Sequence, residues 1–123
     1  MKALLSIELG GPDTLVLSDI DAPTAGPGEL LIEVHAASVN YPDVLIIEDL
    51  YQVKPARPFA PGAEVAGVVT AVGDGVTTFT PGDRVLAAPG HGGMVEQISV
   101  DAAGCHKIPD DMPYDEAASF LLT

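Results

Sequence analysis

The sequence GPGELLIEVHAASV, residues 26–39, carries the strongest strand signal in the chain. After the opening Gly-Pro-Gly turn, apolar Ile32 and Val34 flank polar Glu33, and this alternation extends on both sides. A repeat of two residues sends successive side chains to opposite faces of a strand. We therefore predict a strand over residues 29–39 with one face buried.

Similar runs, separated by glycine and proline, recur along the chain. A second strand is predicted over residues 64–72, and the Asp-Gly pair in the Gly73-Asp74-Gly75 segment that follows favours a tight hairpin turn with positive φ. We expect this strand to pair with the first one or to lie next to it. Further strands are predicted at 2–8, 15–18, 84–87, 94–100 and 104–108. Many short strands favour a barrel or a sandwich, because closure removes exposed sheet edges, and we expect a mainly β fold with a barrel.

Three segments are predicted to lie outside the sheets. Residues 43–49 are expected to form a short helical turn. Residues 51–61 contain three prolines, which have no N–H to donate, and this predicts an ordered loop without ladder hydrogen bonds. Pro113 suits the first position of a helix, and the apolar run behind it reaches the end of the chain without a stop signal. We therefore expect a barrel over 1–112 and the start of a truncated helix over 113–123.

Length and charge restrict the function classes. The 123 residues suit one domain, and no apolar stretch approaches the ~20 residues that span a bilayer. Five Lys+Arg against 18 Asp+Glu give a net charge of −13, which repels nucleic-acid phosphates and anionic lipids. We expect neither nucleic acid nor a membrane as partner. The start does not resemble a secretory signal and the single Cys105 cannot form an internal disulfide, so we expect the cytoplasm.

An ordered set of motifs covers essentially the whole chain. It runs through 36–43 (AASVNYPD), Tyr51, 61–69 (PGAEVAGVV), 72–76, 81–85, 92–96 and 109–118. In this order the motifs resemble the N-terminal half of the medium-chain dehydrogenase/reductase superfamily, in its zinc-less NADPH:quinone oxidoreductase (zeta-crystallin-like) branch. The resemblance implies a GroES-like, partly open β-barrel with short helices that forms one wall of a cleft. It also implies a Rossmann domain that begins shortly after Thr123 and a homodimer in the full-length form.

The resemblance implies NADPH as the cofactor, bound mainly by that Rossmann domain. Within the chain, the glycine cluster at 90–93 has Val95 where the last glycine of Gly-x-Gly-x-x-Gly would fall, and it leads into a strand. We therefore expect the chain alone to hold no dinucleotide and to be inactive. Lys54 and Arg57 could meet an anionic ligand, but we expect them to be solvated surface charges.

Zinc enzymes of the superfamily carry Cys and His where this chain has Asn40 and Ala63. An amide oxygen is a poor zinc ligand and a methyl group is none, so no zinc is expected. Any other metal site would have to use His35, His91, Cys105 and His106. Adjacent residues of a strand point to opposite faces, which disfavours such a site, and we predict no metal ligands.

Without a metal, hydride can still add to a C=C bond conjugated with a carbonyl, because hydrogen bonds can stabilise the enolate. The resemblance therefore implies an NADPH-dependent oxidoreductase acting on a quinone or an α,β-unsaturated carbonyl. It implies that Asn40 positions nicotinamide or substrate and that Tyr51 donates its hydroxyl to the carbonyl or enolate oxygen. Asp43 is expected to orient the catalytic cleft. Tyr41 and His91 are expected to contact substrate, since the His91 loop should lie near the mouth of the cleft.

Structural alternatives stay open for these residues. Asn40 could cap the turn that follows it, Tyr51 could pack at the rim, and Asp43 could be a helix N-cap. Glu64, between apolar neighbours, is expected to be a buried, paired carboxylate.

Two other functions stay open for the chain as a whole. One is a GroES-like binding or oligomerisation module, since fold alone does not define function. The other is an enoyl-thioester reductase of the same superfamily.

Overall fold

The computed structural model describes residues 1–120 and is mainly β. The strands are β1 Lys2–Leu5, β2 Val16–Asp19, β3 Glu29–Ala37, β4 Val65–Val72, β5 Arg84–Ala87, β6 Gln97–Asp101 and β7 Cys105–Lys107. The helices are α1 Tyr41–Ile47 and α2 Tyr114–Ala118, with 3-10 turns at Pro12–Thr14 and Ala102–Gly104. Each predicted strand is therefore present, with its ends shifted by a few residues. Within residues 1–120, no helix has the length and apolar character needed to cross a membrane.

The strands form a curled half-barrel. β1 and β2 pair with each other, and the larger sheet has the order β6-β3-β4-β5-β7. β3 and β4 are antiparallel, with Leu30 opposite Val72 and Ala37 opposite Val65, which confirms that the two clearest predicted strands are neighbours. Isolated β-bridges join Ala3 of β1 to Val95, and Ser6, the residue after β1, to Phe59. The result is the partly open barrel expected from the resemblance.

The inner face of the large sheet carries the main core. The residues of β3, β4 and β5 that are at most 1% exposed there are Leu30, Ile32, Val65, Val69, Val85 and Ala87. Leu30 and Ile32 alternate with residues that are less buried, so the face predicted to be buried is the face that packs. A second apolar cluster lies on the opposite face, where α2 packs on β3, β4 and β5.

Gly67 allows β3 and β4 to approach each other. The register shifts between Val34 and Ala36, which are opposite Gly67 and Ala66. A Cβ atom on Gly67 would overlap the carbonyl oxygen of Glu33, so a side chain has no room at this position. The irregularity bends β3 just before the chain turns into α1.

The strand predicted over 94–100 begins later than expected. Leu4 N–H donates to Met94 O at 2.9 Å, and Glu96 N–H donates to Lys2 O at 3.1 Å. The segment before β6 therefore pairs with β1, and β6 itself pairs with β3. The predicted strand over 94–100 thus pairs with β1 in its first part and with β3 in its second part. Its composition does not reveal the residue at which the partner changes.

β4 and β5 pair antiparallel, but the connection between them is longer than the predicted tight hairpin turn. Gly75 has a φ of 84°, and Val76 N–H donates to Gly73 O at 3.3 Å. The tight turn itself therefore forms as expected. β5 begins only after a second turn, in which Asp83 N–H donates to Thr80 O at 3.1 Å. Phe79, between the two turns, is buried in the main core.

The segment around α1 differs from the expectation at both ends. α1 begins at Tyr41 rather than at 43, with Asn40 as its N-cap. The predicted loop over 51–61 contains no named strand, but Phe59 forms an isolated bridge with Ser6. The expectation of no ladder hydrogen bonds is therefore wrong at Phe59, whose backbone pairs with that of Ser6, the residue after β1.

α2 is shorter than the helix that the apolar run predicts. It ends at Ala118, and the predicted continuation over 121–123 lies outside the described residues. The hydroxyl of Ser119 donates to the carbonyls of Asp115 and Glu116. At this end the backbone N–H groups of Ser119 and Phe120 donate to carbonyls three residues back, at Glu116 and Ala117, as in a tightened last turn.

Candidate functional site

A cleft of about 370 Å³ opens beside the start of α1. It is lined by Pro42, Tyr51, Val53, Ala63, Ala88, Pro89, Gly90 and His91. The cleft therefore brings together Tyr51 and His91, two predicted site residues from distant parts of the sequence. A mostly apolar lining with few polar groups is typical of small-molecule sites, and this volume lies at the lower end of their range and suits a ring-sized molecule.

Tyr51 belongs both to the packing and to the cleft. It is half buried against Ile46, Ile47 and Phe59, and it also lines the cleft. A tyrosine can do both, because it has an apolar ring and a polar end. The rim-packing alternative is thus compatible with a role in the site.

Glycines and backbone bonds shape the loop that carries His91. Gly90 and Gly92 have φ values of 87° and 95°, which glycine adopts without strain. Gly90 N–H donates to Ala63 O at 3.2 Å, and Gly92 N–H donates to Ala60 O at 2.7 Å. Because both neighbours of His91 are bonded to the segment that enters β4, the backbone of His91 has a defined position at the cleft.

Asp43 holds the start of α1. The residue is 4% exposed, and its carboxylate accepts hydrogen bonds from Asn40 N–H at 2.8 Å and Gly62 N–H at 3.2 Å. A carboxylate at this helix position satisfies an N–H group that the helix leaves open. The N-cap is Asn40 and not Asp43, so the N-cap alternative for Asp43 was wrong by three positions. Asp43 fixes α1 beside the segment that carries Ala63.

Asn40 and Tyr41 lie at the edge of the site. Asn40 Nδ2 donates to Ser38 Oγ at 2.8 Å, and its N-cap position agrees with the capping alternative. Tyr41 is 73% exposed. The structure therefore places Tyr51 and His91 in the cleft lining and leaves the predicted residues at the start of α1 outside it.

Lys54 and Arg57, in the loop that follows α1, both interact with other groups of the protein. Lys54 Nζ lies 3.2 Å from Asp49 Oδ1. Arg57 donates through Nε to Ser6 Oγ at 3.1 Å and through Nη2 to Ile47 O at 2.8 Å. The prediction that Arg57 is a solvated surface charge is wrong, because its guanidinium group is bonded across the fold.

Glu64 and Phe59 are both buried. The sequence predicted the burial of Glu64 but not the contact that Phe59 makes. Glu64 is fully buried and has a partner, as expected for a carboxylate between apolar neighbours. Phe59 is 7% exposed and its ring contacts the His91 ring, with centroids 6.0 Å apart and planes at 84°. An aromatic residue in a proline-rich loop indicates burial, but no sequence signal specifies His91 as its neighbour.

The donor groups present do not fit zinc. Ala63 brings a methyl group to the cleft, and no three His, Cys, Asp or Glu side chains within residues 1–120 are grouped so as to hold a metal ion. Cys105 is buried in β7 while His106 is exposed. Burial, aided by the Asp101 carboxylate, raises the pKa of the Cys105 thiol to about 11, and a thiol that stays protonated is a poor metal ligand.

Comparison with known proteins identifies the class. Residues 26–110 match the alcohol dehydrogenase GroES-like domain. Because the match covers more than half of the chain, the chain belongs to this family, the N-terminal part of the medium-chain dehydrogenase/reductase superfamily. The fold and superfamily predicted from the motifs are thereby confirmed.

Two curated relatives illustrate the extent of the similarity. Quinone oxidoreductase of Rattus norvegicus is 36% identical over 121 residues, which cover 97% of this chain and 37% of that protein. The human synaptic vesicle membrane protein VAT-1 homolog is 36% identical over 124 residues, which cover 99% of this chain and 32% of that protein. The chain thus spans about a third of the length of the curated relatives that it matches.

Solved structures of similar proteins support the same family assignment. A mycobacterial protein complexed with NADPH matches with a TM-score of 0.91 and 40% identity, over 99% of this chain and 38% of that chain. Quinone oxidoreductase from Thermus thermophilus, also solved in complex with NADPH, matches with a TM-score of 0.84 and 34% identity, over 99% and 37% of the two chains.

Proposed function

We propose that this chain is the substrate-side domain of an NADPH-dependent quinone or enone oxidoreductase that transfers hydride without zinc. The observation that carries the proposal is the cleft in which Tyr51 and His91 lie among apolar residues. Relatives named quinone oxidoreductase, and a solved relative complexed with NADPH, support it. Since each covers the chain but is about three times as long, the activity is proposed for the whole protein.

The cleft suits a flat, conjugated carbonyl compound. Pro42, Val53 and Pro89 contribute apolar surface for a ring, and Tyr51 and His91 contribute two polar groups. Apolar walls give affinity and a few polar groups set orientation. A quinone or an α,β-unsaturated carbonyl has this combination of a ring or chain of carbon and a terminal oxygen.

Tyr51 is proposed to stabilise charge on the substrate oxygen. NADPH, when bound, supplies a hydride. As the conjugated carbon accepts it, an electron pair moves to the carbonyl oxygen, where the Tyr51 hydroxyl donates a hydrogen bond. His91 is proposed as a second donor on the substrate side. A quinone that accepts one hydride and one proton leaves as a hydroquinone, so a positioned proton donor is required.

Hydrogen bonds take the place of a Lewis acid in this proposal. Asn40 and Ala63 stand where the resemblance puts the cysteine and histidine ligands of zinc enzymes, and their amide and methyl groups do not fit that ion. Asn40 is proposed to position nicotinamide or substrate from the surface beside the cleft, and Tyr41 to contact substrate there. Asp43 acts by positioning α1.

The remaining parts of the proposal concern the whole protein. We propose that NADPH is bound mainly by sequence outside this chain, that the full-length protein is a cytoplasmic homodimer, and that the chain alone is inactive. No Lys or Arg is among the described residues that line the cleft, which supports a phosphate site elsewhere in the whole protein. Calorimetric titration of the chain with NADPH should detect negligible binding, and micromolar affinity would contradict this division of labour.

A hybrid enzyme tests the activity. Residues 1–123 replace the matching first third of rat quinone oxidoreductase. NADPH binding verifies that the rat part of the hybrid folds, and a single cooperative unfolding transition verifies that residues 1–123 fold with it. We expect NADPH oxidation with duroquinone, a fully methylated benzoquinone, to exceed that with an enoyl thioester, and a metal chelator to leave the rate unchanged. A preference for the thioester would refute the substrate class, and inactivation by the chelator would refute zinc-free transfer.

A further inference from the structure

Phe59 contacts His91 from behind the cleft. The two ring centroids are 6.0 Å apart with an interplanar angle of 84°, the edge-to-face geometry that aromatic rings prefer. Phe59 itself is not among the residues that line the cleft. It can therefore affect a bound molecule only indirectly, through His91 and through Tyr51, which packs on the same cluster.

The backbone of Phe59 is held by Ser6. Ser6 N–H donates to Phe59 O at 2.7 Å, and Phe59 N–H donates to Ser6 O at 3.2 Å. The Phe59 side chain packs with Ile46 and Ile47 of α1. Two backbone bonds and buried packing make Phe59 a rigid support.

Arg57 holds the ring of Phe59 from a further side. Its Cζ atom lies 5.4 Å from the ring centroid, within cation–π range. The guanidinium group cannot move freely, because it donates to Ser6 Oγ and Ile47 O. Ser6 thus fixes both Arg57 and Phe59, and Ile47 connects them to the end of α1.

We infer that Phe59 is a positioning residue for His91, and that Arg57 secures it. The backbone bonds of the His91 loop fix where the residue stands, but they leave the imidazole free to rotate about its side-chain torsions. Contact with Phe59 selects one ring orientation toward the cleft. The relation to substrate rests on the proposed function, whereas the contacts themselves do not.

Nuclear magnetic resonance on the 123-residue chain tests the contact directly. The chain has three histidines, and His91→Gln identifies the His91 ring signals. We expect nuclear Overhauser effects between the Phe59 and His91 ring protons in the unmodified chain. Their absence from a spectrum in which both rings are assigned would overturn the inference without any variant.

Variants then test whether the contact with Phe59 is specific. Phe59→Leu and Phe59→Met should each shift the His91 ring signals, because the ring current of Phe59 is lost, and Phe59→Tyr should restore them. Phe79→Leu is the matched control: Phe79 is also buried and also has a cation, Lys107, 5.6 Å from its ring centroid, but it lies in the main core. Equal His91 shifts in the Phe79 and Phe59 variants would overturn the inference.

Ligand binding provides the functional readout. Titration of the chain with duroquinone should perturb the His91 ring signals, and Phe59→Leu should weaken its affinity by about twofold to tenfold, the range of one aromatic pair. Phe79→Leu should leave the affinity unchanged. If duroquinone does not bind the unmodified cleft, the proposed function fails, while the Overhauser effects and ring shifts still decide the positioning role. Unchanged affinity in Phe59→Leu, with binding intact, would refute the role toward substrate.

Discussion

The buried carboxylate of Asp43 accepts a hydrogen bond from the backbone N–H of Gly62. Its second oxygen accepts from the N–H of Asn40. One side chain thus joins the first turn of α1 to the segment that brings Ala63 into the cleft. The position of α1 and the shape of the cleft therefore depend on the same group.

Replacing Asp43 should destabilise the domain. Asp43→Ala removes two hydrogen bonds to a buried charged group, and we expect the free energy of unfolding to fall by about 2–4 kcal/mol. Urea unfolding followed by circular dichroism measures the change. Asp74→Ala, at an exposed turn position, should alter the stability by less than about 0.5 kcal/mol. Similar losses in the two variants would show that the Asp43 bonds contribute little.

Gly67→Ala should be strongly destabilising. The added methyl group would meet the carbonyl oxygen of Glu33, and backbone in a paired strand cannot move aside, so we expect a loss of about 3 kcal/mol or more. Gly104→Ala makes the same chemical change where no heavy atom lies within 4 Å of the new carbon. Thermal and urea unfolding of both should leave Gly104→Ala near the unmodified chain. A stable Gly67→Ala protein would contradict the close approach of β3 and β4.

The hydroxyl of Tyr51 should matter for turnover in the hybrid enzyme. Tyr51→Phe retains the ring that packs on Ile46 and Ile47 but removes the proposed donor, and we expect kcat to fall about 100-fold with little change in KM. Tyr114→Phe is the control, because its hydroxyl accepts from Arg84 Nε at 3.1 Å beside α2, away from the cleft. Full activity of Tyr51→Phe would remove Tyr51 from the proposed chemistry.

Cys105 should be unreactive in the folded chain. Burial raises the pKa of its thiol from 9.0 to about 11, so about one molecule in a thousand carries the reactive thiolate at pH 8. Labelling with Ellman's reagent at pH 8 should be slow in buffer and fast in urea. Rapid, stoichiometric labelling of the folded chain would show that the thiol is accessible.

The same pKa difference predicts how stability depends on pH. Because the folded state keeps the Cys105 proton to higher pH than the unfolded state, the contribution is fully present below pH 9 and is lost as pH rises toward 11. The urea midpoint of the unmodified chain should therefore fall between these values more than that of Cys105→Ala. Parallel pH profiles would contradict a raised pKa.

Local pattern predicted the strands well, since alternation of apolar and polar residues reflects which face of a strand is buried. Leu30 and Ile32 of β3 face the core as the pattern indicated. The pattern failed where one run changes partner: Met94 bonds to β1, and β6 bonds to β3. Both halves of that run bury apolar side chains, so hydrophobicity carries no record of the change.

For the site, the motifs indicated Tyr51 and His91, and the structure brings both to one cleft. The role of Arg57 was missed, because a charge in a loop is solvated unless a distant partner covers it, and here Ser6 supplies that partner. Phe59 was missed for the same reason. Contacts between residues far apart in the chain leave no local signal.

Residue identity and short-range periodicity were enough to establish the family, the mainly β architecture, and the presence of an amide and a methyl group at Asn40 and Ala63. The three-dimensional fold was needed to show that the Asp43 carboxylate joins the start of α1 to Gly62 and that the Phe59 ring contacts the His91 ring. Those contacts form because folding brings β1, α1 and the His91 loop, which are far apart in the sequence, within contact distance.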